Sequence, residues 1–232
     1  MKGLTESLAG IASILEMTTL SLREIKSISF DQPFSLNEKY LKEREKHLQK
    51  YENIWEYIHR GFYPELYDDD PRDWGTYYNS HLNRALKSPK IYFRDTGLAA
   101  HLTNWTTPEQ LQAGAMNGAF FETFVLNEIL KSYINAGLDH TRYVYYYRGR
   151  DKRKNSVNEY EESEIDFIIE ENNTLYPIEI KKNKNVTASM TSAFNVLDKD
   201  KSKKRGTGAI ICTCDHKLKL SADLYALPVE YI

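Results

Sequence analysis

Ser163-Glu-Ile-Asp-Phe-Ile-Ile-Glu-Glu-Asn-Asn-Thr-Leu-Tyr-Pro-Ile-Glu-Ile-Lys181 is the stretch from which the fold can be read. β-Branched and aromatic residues fill both arms, and the paired Asn172-Asn173 tolerates the positive φ of a two-residue turn. The stretch therefore predicts a β-hairpin. That turn sets the register, placing Asp166 opposite Glu179 and Glu164 opposite Lys181. Side chains alternate along a strand, so Glu179 and Lys181 share one face while Ile178 and Ile180 turn to the other, the expected core face. Like charges directly opposed, with Cβ atoms about 4.5–5.5 Å apart, destabilise a sheet. A positive group is therefore expected between Asp166 and Glu179. Hard carboxylate oxygens suit a divalent cation, and the neighbouring Lys181 suits a water or a phosphate oxygen. The alternative is an exposed sheet face on which Glu179 and Lys181 are simply solvated.

The 232 residues suffice for one large or two small domains with a real core. A net charge of -2 gives no global basic excess, so any nucleic-acid surface has to be local. Cys212 and Cys214, two apart in a strand-like run, are the only cysteines, which excludes a disulfide framework. No signal segment or bilayer-length apolar run is present, so a cytoplasmic location is the expectation. Neither G-x-x-x-x-G-K-[ST] nor G-x-G-x-x-G occurs, and ATP binding by this chain is not expected.

Upstream of the hairpin, Thr5 to Leu20 has helical apolar spacing, and Ser21 is placed to cap a second helical start at Leu22-Arg-Glu-Ile25. Asn37 to Arg60 reads as one charged helix with a thin apolar stripe, ended by Gly61. Trp74 to Leu86 reads as a helix, Lys90 to Asp95 as a strand, and Asp95 as a cap for the turn after it. Gly118 to Tyr133 is a helix whose apolar residues cover most of its circumference, as expected of packing on a sheet. Glu122 and Glu128 fall within that apolar arc, where a carboxylate is costly unless it is paired, ligated or able to reach solvent. Glu122, in the first turn, is the better site candidate. Tyr143 to Tyr147 reads as a strand leading into a basic loop. Tyr145, Tyr147, Arg148, Arg150, Lys152 and Arg153 could stack bases and neutralise phosphates of DNA, or the tyrosines could be half-buried packing. Beyond the hairpin come a helical stretch from Ala188 to Leu197, a strand at Ala209 to Cys214 and a closing strand from Leu224.

The order helix, three strands, helix, strand, with Glu122, Asp166 and Glu179-Ile-Lys181 in sequence, resembles the PD-(D/E)xK nuclease-like α/β fold. In that superfamily the helix Glu, the strand Asp and the Glu of E-x-K bind Mg²⁺ or Mn²⁺, and the Lys orients the attacking water. The resemblance thus implies a metal at Glu122, Asp166 and Glu179, with Lys181 as a fourth catalytic residue. Met1 to Gly10, Leu20 to Glu24, Arg60 to Leu66, Lys87 to Leu98 and Leu175 to Lys182 further resemble successive landmarks of prokaryotic AAA-type ATPases that carry a C-terminal domain of unknown function with this fold. By that resemblance the chain is N-terminally truncated and internally deleted. Residues 1–86 would be a mainly helical remnant of the ATPase region without Walker motifs, and residues 87–232 the nuclease-like domain. The expected function is metal-dependent DNA cleavage or DNA binding, with a non-catalytic module that docks a partner or nucleic acid as the alternative.

Overall fold

A computed structural model describes residues 18–68, 73–74, 78, 93–152, 160–199 and 202–232; the side chains of 150–152 and 160–162 lie outside that description. The expectations for residues 5–17, most of 74–86 and 90–92, and the proposed domain boundary between 86 and 87, fall on residues that are not described.

The hairpin forms as its sequence dictates. Strands β2 (Tyr160–Glu171) and β3 (Thr174–Ile180) pair antiparallel from Glu171 with Thr174 to Phe167 with Ile178. Asn172 and Asn173 take φ values of 49° and 62°, the left-handed pair that a twisted two-residue turn requires. β1 (Val144–Lys152) adds antiparallel to β2. On the other side β3 pairs in parallel with the short β4 (Lys204–Arg205) and with β5 (Gly208–Cys212). β5 in turn pairs in parallel with β7 (Leu224–Pro228), and β6 (Leu218–Ser221) closes that edge antiparallel to β7. The described residues thus form a seven-stranded open mixed sheet in the order β1-β2-β3-β5-β7-β6, with β4 on β3.

Both faces of this sheet are covered. The helix Asn117–Asn135, flanked by the shorter helices Thr96–Leu102 and Pro108–Ala113, packs Phe120, Phe121, Phe124, Val125 and Ile129 into a core with Phe167, Ile169, Ile178, Ile180 and Ile211. The segment Ala188–Lys199, expected as a helix, is a 3-10 run kinked at Thr191. It lays Phe194 and Leu197 over Ile165, Ile168, Leu175, Ile210 and Cys212 on the opposite face. Ile165 shares a face with Ile168 because β2 carries a bulge: Tyr145 pairs with Ile168 and Tyr147 with Ile165, so Asp166 and Phe167 together oppose Tyr146.

The N-terminal helices are α1 (Leu22–Ile25), α2 (Glu38–Glu45) and α3 (Ile54–Arg60). Ser21 caps α1 in a reciprocal box with Glu24, as its position predicts. The single helix expected over 37–60 is instead two, each begun by its own asparagine cap, Asn37 and Asn53. Gly61 ends α3 at φ 82°, where a Cβ would lie 2.1 Å from the Tyr78 hydroxyl. Leu22, Phe34, Tyr40, Leu41, Trp55 and Ile58 belong to the same core cluster as the inner face of the sheet. Polar bonds reinforce the join. The Tyr40 hydroxyl donates to the Tyr231 carbonyl, and the Phe34 N–H donates to Ser132. Among the described residues, no helix is long and apolar enough to cross a membrane.

Candidate functional site

The hairpin register brings Asp166 to the first position past the last β2–β3 ladder pair, next to Glu179. The ladder does not continue to Glu164 and Lys181, as the sequence predicts it should. Two local features divert it. The bulge shifts the phase of β2, and Glu164 pairs with Arg148 of β1. The Lys181 N–H, meanwhile, donates to the Ile211 carbonyl, carrying that end of β3 over to β5. Asp166 bridges the divergence, its Oδ2 accepting from the Ile180 N–H at 2.7 Å. A bulge that re-aims a side chain where two strands part is a recurrent way of building a site.

Glu179 lies on the opposite face from Ile178 and Ile180, as the alternation requires, yet this face is not open: Glu179 is only 8% exposed. Its Oε1 accepts from Lys181 Nζ at 2.5 Å, so the lysine bonds to Glu179 on the same strand. Burial, then the Asp166 charge, push the Glu179 carboxyl up to about 7, with Glu122 adding to the effect and Lys181 opposing it. Asp166, half-buried, is raised by burial and by Glu164, against the Ile180 hydrogen bond and Lys181. The helix begins at Asn117, so Glu122 lies in its second turn rather than its first; it is solvent-exposed at the helix surface, yet it senses the same cluster. Partial desolvation, then the Asp166 and Glu164 charges, raise its carboxyl. Burial pulls Lys181 down, but Glu179, Asp166 and Glu122 together hold it above the ordinary lysine value. Four residues separated by up to 59 positions therefore share one electrostatic environment, with three acids to one base.

The donor set is of the kind that hard divalent cations take, all carboxylate oxygens. Among the described residues, however, no three His, Cys, Asp or Glu side chains are already gathered closely enough to hold an ion. The residues fit such a cation in chemistry, through two neighbouring carboxylates and a third that is exposed and free to turn.

Glu128, the other carboxylate in the helical arc, is structural. It receives the Leu22 N–H at 2.7 Å and pairs with buried Lys131 at 3.0 Å. Asp95 caps Leu98 as expected, and it also accepts from the Phe62 N–H and the Tyr78 hydroxyl. It is 2% exposed, and burial raises its carboxyl. Of the aromatic-basic candidates, Tyr145 is 42% exposed, Arg148 is exposed, and Tyr147 is half-buried against the outer core; Tyr146, which was not among them, is 77% exposed. The side chains of Arg150 and Lys152, and Arg153 altogether, lie outside the described residues.

Sequence reasoning missed a cleft of about 470 Å³ beyond the C-terminal ends of β3, β5 and β7, lined by Lys50, Asn117, Lys182, Lys184, Thr213 and Cys214 among others. Lys182 Nζ donates to Asn117 Oδ1, tying the start of the long helix to the residue after Lys181. The available signal was positional, since ligands of open α/β sheets bind beyond the carboxyl ends of parallel strands.

Residues 117–232 match a family described as a domain of unknown function, DUF4143. The chain is also 28% identical over 149 residues to the uncharacterized protein Rv2008c of Mycobacterium tuberculosis and to the uncharacterized protein Mb2031c of Mycobacterium bovis. In each case the match covers 64% of this chain and 29% of the relative. No solved structure matches.

Proposed function

The chain belongs to the DUF4143 family, and from that premise we propose that its sheet carries a divalent-metal site of the PD-(D/E)xK nuclease type acting on DNA phosphodiesters. The observation that supports this reading is the shared acidic environment of Glu122, Asp166 and Glu179, which leaves Glu179 titrating near 7 beside a single lysine. Strongly perturbed carboxylates at the parting of two strands are a signature of functional sites. In this reading Asp166 and Glu179 hold Mg²⁺ or Mn²⁺, Glu122 completes the set, and Lys181 faces the phosphate oxygens. The cation, when bound, would supply positive charge to the scissile phosphate. Exposed Tyr145, Tyr146 and Arg148 would carry the flanking DNA.

The experiment is cleavage of plasmid and branched DNA by the purified chain with Mn²⁺ or Mg²⁺, using Asp166→Asn as control. The amide introduced by that substitution can still accept from the Ile180 N–H while lacking the charge. Cleavage that depends on metal and disappears in the variant supports the reading. Cleavage that persists in the variant, or is absent throughout, removes the catalytic claim.

The second reading, a non-catalytic docking module, is favoured by the absence of a closed three-donor group among the described residues. The two separate on metal binding. A working site raises the melting temperature with Mn²⁺, by the equivalent of about 2.7 kcal/mol at a hundredfold excess over Kd, and loses that response in Glu179→Gln. Carrying no phosphate-loop motif, the chain is further expected to bind no ATP. Calorimetry showing micromolar ATP affinity would refute that.

A further inference from the structure

We propose that Cys212 and Cys214 form a reversible redox site, closing to an intrachain disulfide when a low-molecular-weight disulfide enters the cleft beyond β5. Two side chains on one strand face do not ordinarily reach each other, but β5 ends at Cys212 and the chain bends at Thr213. The bend turns both sulfurs to the same side, and the two Sγ atoms share a hydrogen bond at 2.9 Å. Both thiols are free and buried. Cys214, at 7% exposure, lines the cleft, while Cys212 lies behind it at 0%. An oxidant arriving through the cleft therefore meets Cys214 first. Lys50, Lys182 and Lys184 stand around the same opening with Glu52, Asp215 and Glu230, so its charge is balanced, and the Cys212 hydrogen bond and burial hold the Cys214 thiol above its ordinary value. Exchange is therefore slow, and the state reached at equilibrium is what reports the site.

The steps balance without any other reactant. Cys214 gives its proton to solvent in the cleft, and its Sγ thiolate, which accepts the Cys212 S–H hydrogen bond, attacks one sulfur of the incoming disulfide. A Cys214 mixed disulfide forms, and one small thiolate leaves. Cys212 then gives its proton to that thiolate and attacks Cys214 Sγ, and the second small thiolate departs, taking up the proton that Cys214 released. The protein loses two electrons and two hydrogens, and the oxidant ends as two thiols. The pair is placed to act on the strand end beside it. Thr213, between the two cysteines, donates to the Lys182 carbonyl at 2.8 Å, and the carbonyl of Ile211 accepts from Lys181. Closing the ring changes the torsions of the residue that tethers Lys182.

The test equilibrates the purified full chain in glutathione buffers of increasingly oxidising poise, quenches with acid, alkylates after unfolding and weighs the product. The expected result is two alkyl groups on the reduced chain. The oxidised chain should carry none, weigh two hydrogens less, hold no glutathione and show the link within the peptide containing 212–214. Cys212→Ser should stop at the mixed disulfide and retain one glutathione on Cys214. Two alkyl groups at every poise, glutathione retained by the unaltered chain, or a covalent dimer would overturn the proposal. None of these outcomes depends on whether the carboxylate cluster binds metal.

Discussion

Glu128 with Lys131 and Glu179 with Lys181 are both acid–base pairs set into the core of one fold, and they are built on different principles. The Glu128–Lys131 pair is closed. Its side chains are 7% and 3% exposed, and each has further partners: the Leu22 N–H for the carboxylate, the Leu20 carbonyl and the Phe62 ring for the ammonium. One positive and one negative charge are matched, and their spare bonding capacity goes to the backbone of the N-terminal segment. The Glu179–Lys181 pair is open: the lysine is 39% exposed, and two more carboxylates share its field. A balanced, fully bonded pair fastens one segment to another. An unbalanced one keeps an unmet demand for positive charge, which a ligand can satisfy.

The sharpest way to break this contrast is to truncate the closed pair. Glu128→Ala strands Lys131 in the core and frees the Leu22 N–H, with an expected loss of about 3 kcal/mol in a denaturant titration. A loss below a few tenths would mean that this pair contributes nothing to holding the N-terminal segment.

A smaller effect of opposite sign is expected at the open pair. The Glu179 carboxyl titrates near 7 in the fold against 4.5 as its ordinary value. Between those limits the folded chain binds more protons than the unfolded one. Metal-free stability from this group is therefore full below about 4.5, falls as pH rises, and is lost above about 7. Glu179→Gln should remove that slope and, in chelator at pH 8, stabilise the chain by roughly 1–3 kcal/mol. Thermal melts from pH 4 to 8 check both the slope and its sign. A variant less stable than the parent at pH 8 would make the pair structural like Glu128–Lys131.

The smallest effect tests the frame that places the open pair. Asn173→Ala puts a Cβ-bearing residue with no local polar compensation at φ 62° and should cost about 1 kcal/mol. Asn173→Gly should cost less, because glycine adopts that conformation freely. Equal losses in the two variants would show that the Asn173 side chain, which donates to the Ser202 carbonyl, matters more than its backbone angle.

The hairpin was legible because its information is local: two asparagines set the turn, the turn sets the register, and alternation sets the faces. Glu122 and Glu128 were legible as anomalies in an apolar arc, but their different fates were not. Glu128 is satisfied by Lys131 on its own helix and by Leu22, 106 positions away, which no helical wheel contains. The bulge at Asp166 and Phe167 left no mark in the sequence, since it depends on how β1 pairs with β2. The burial of Glu179 was missed for a related reason: the sequence marks the run Ala188–Lys199 as an element but does not say which face of the sheet it covers. The cysteine contact turned on a bend of one residue at the end of a strand.

The shared inner core has a practical consequence. The match to the family model begins at residue 117, yet Tyr40, Trp55 and Ile58 are packed in the same cluster as Phe121, Phe124 and Ile178. A fragment cut at residue 117 would leave that side of the long helix uncovered, so the segment that the family model recognises is shorter than the packed unit to which it belongs.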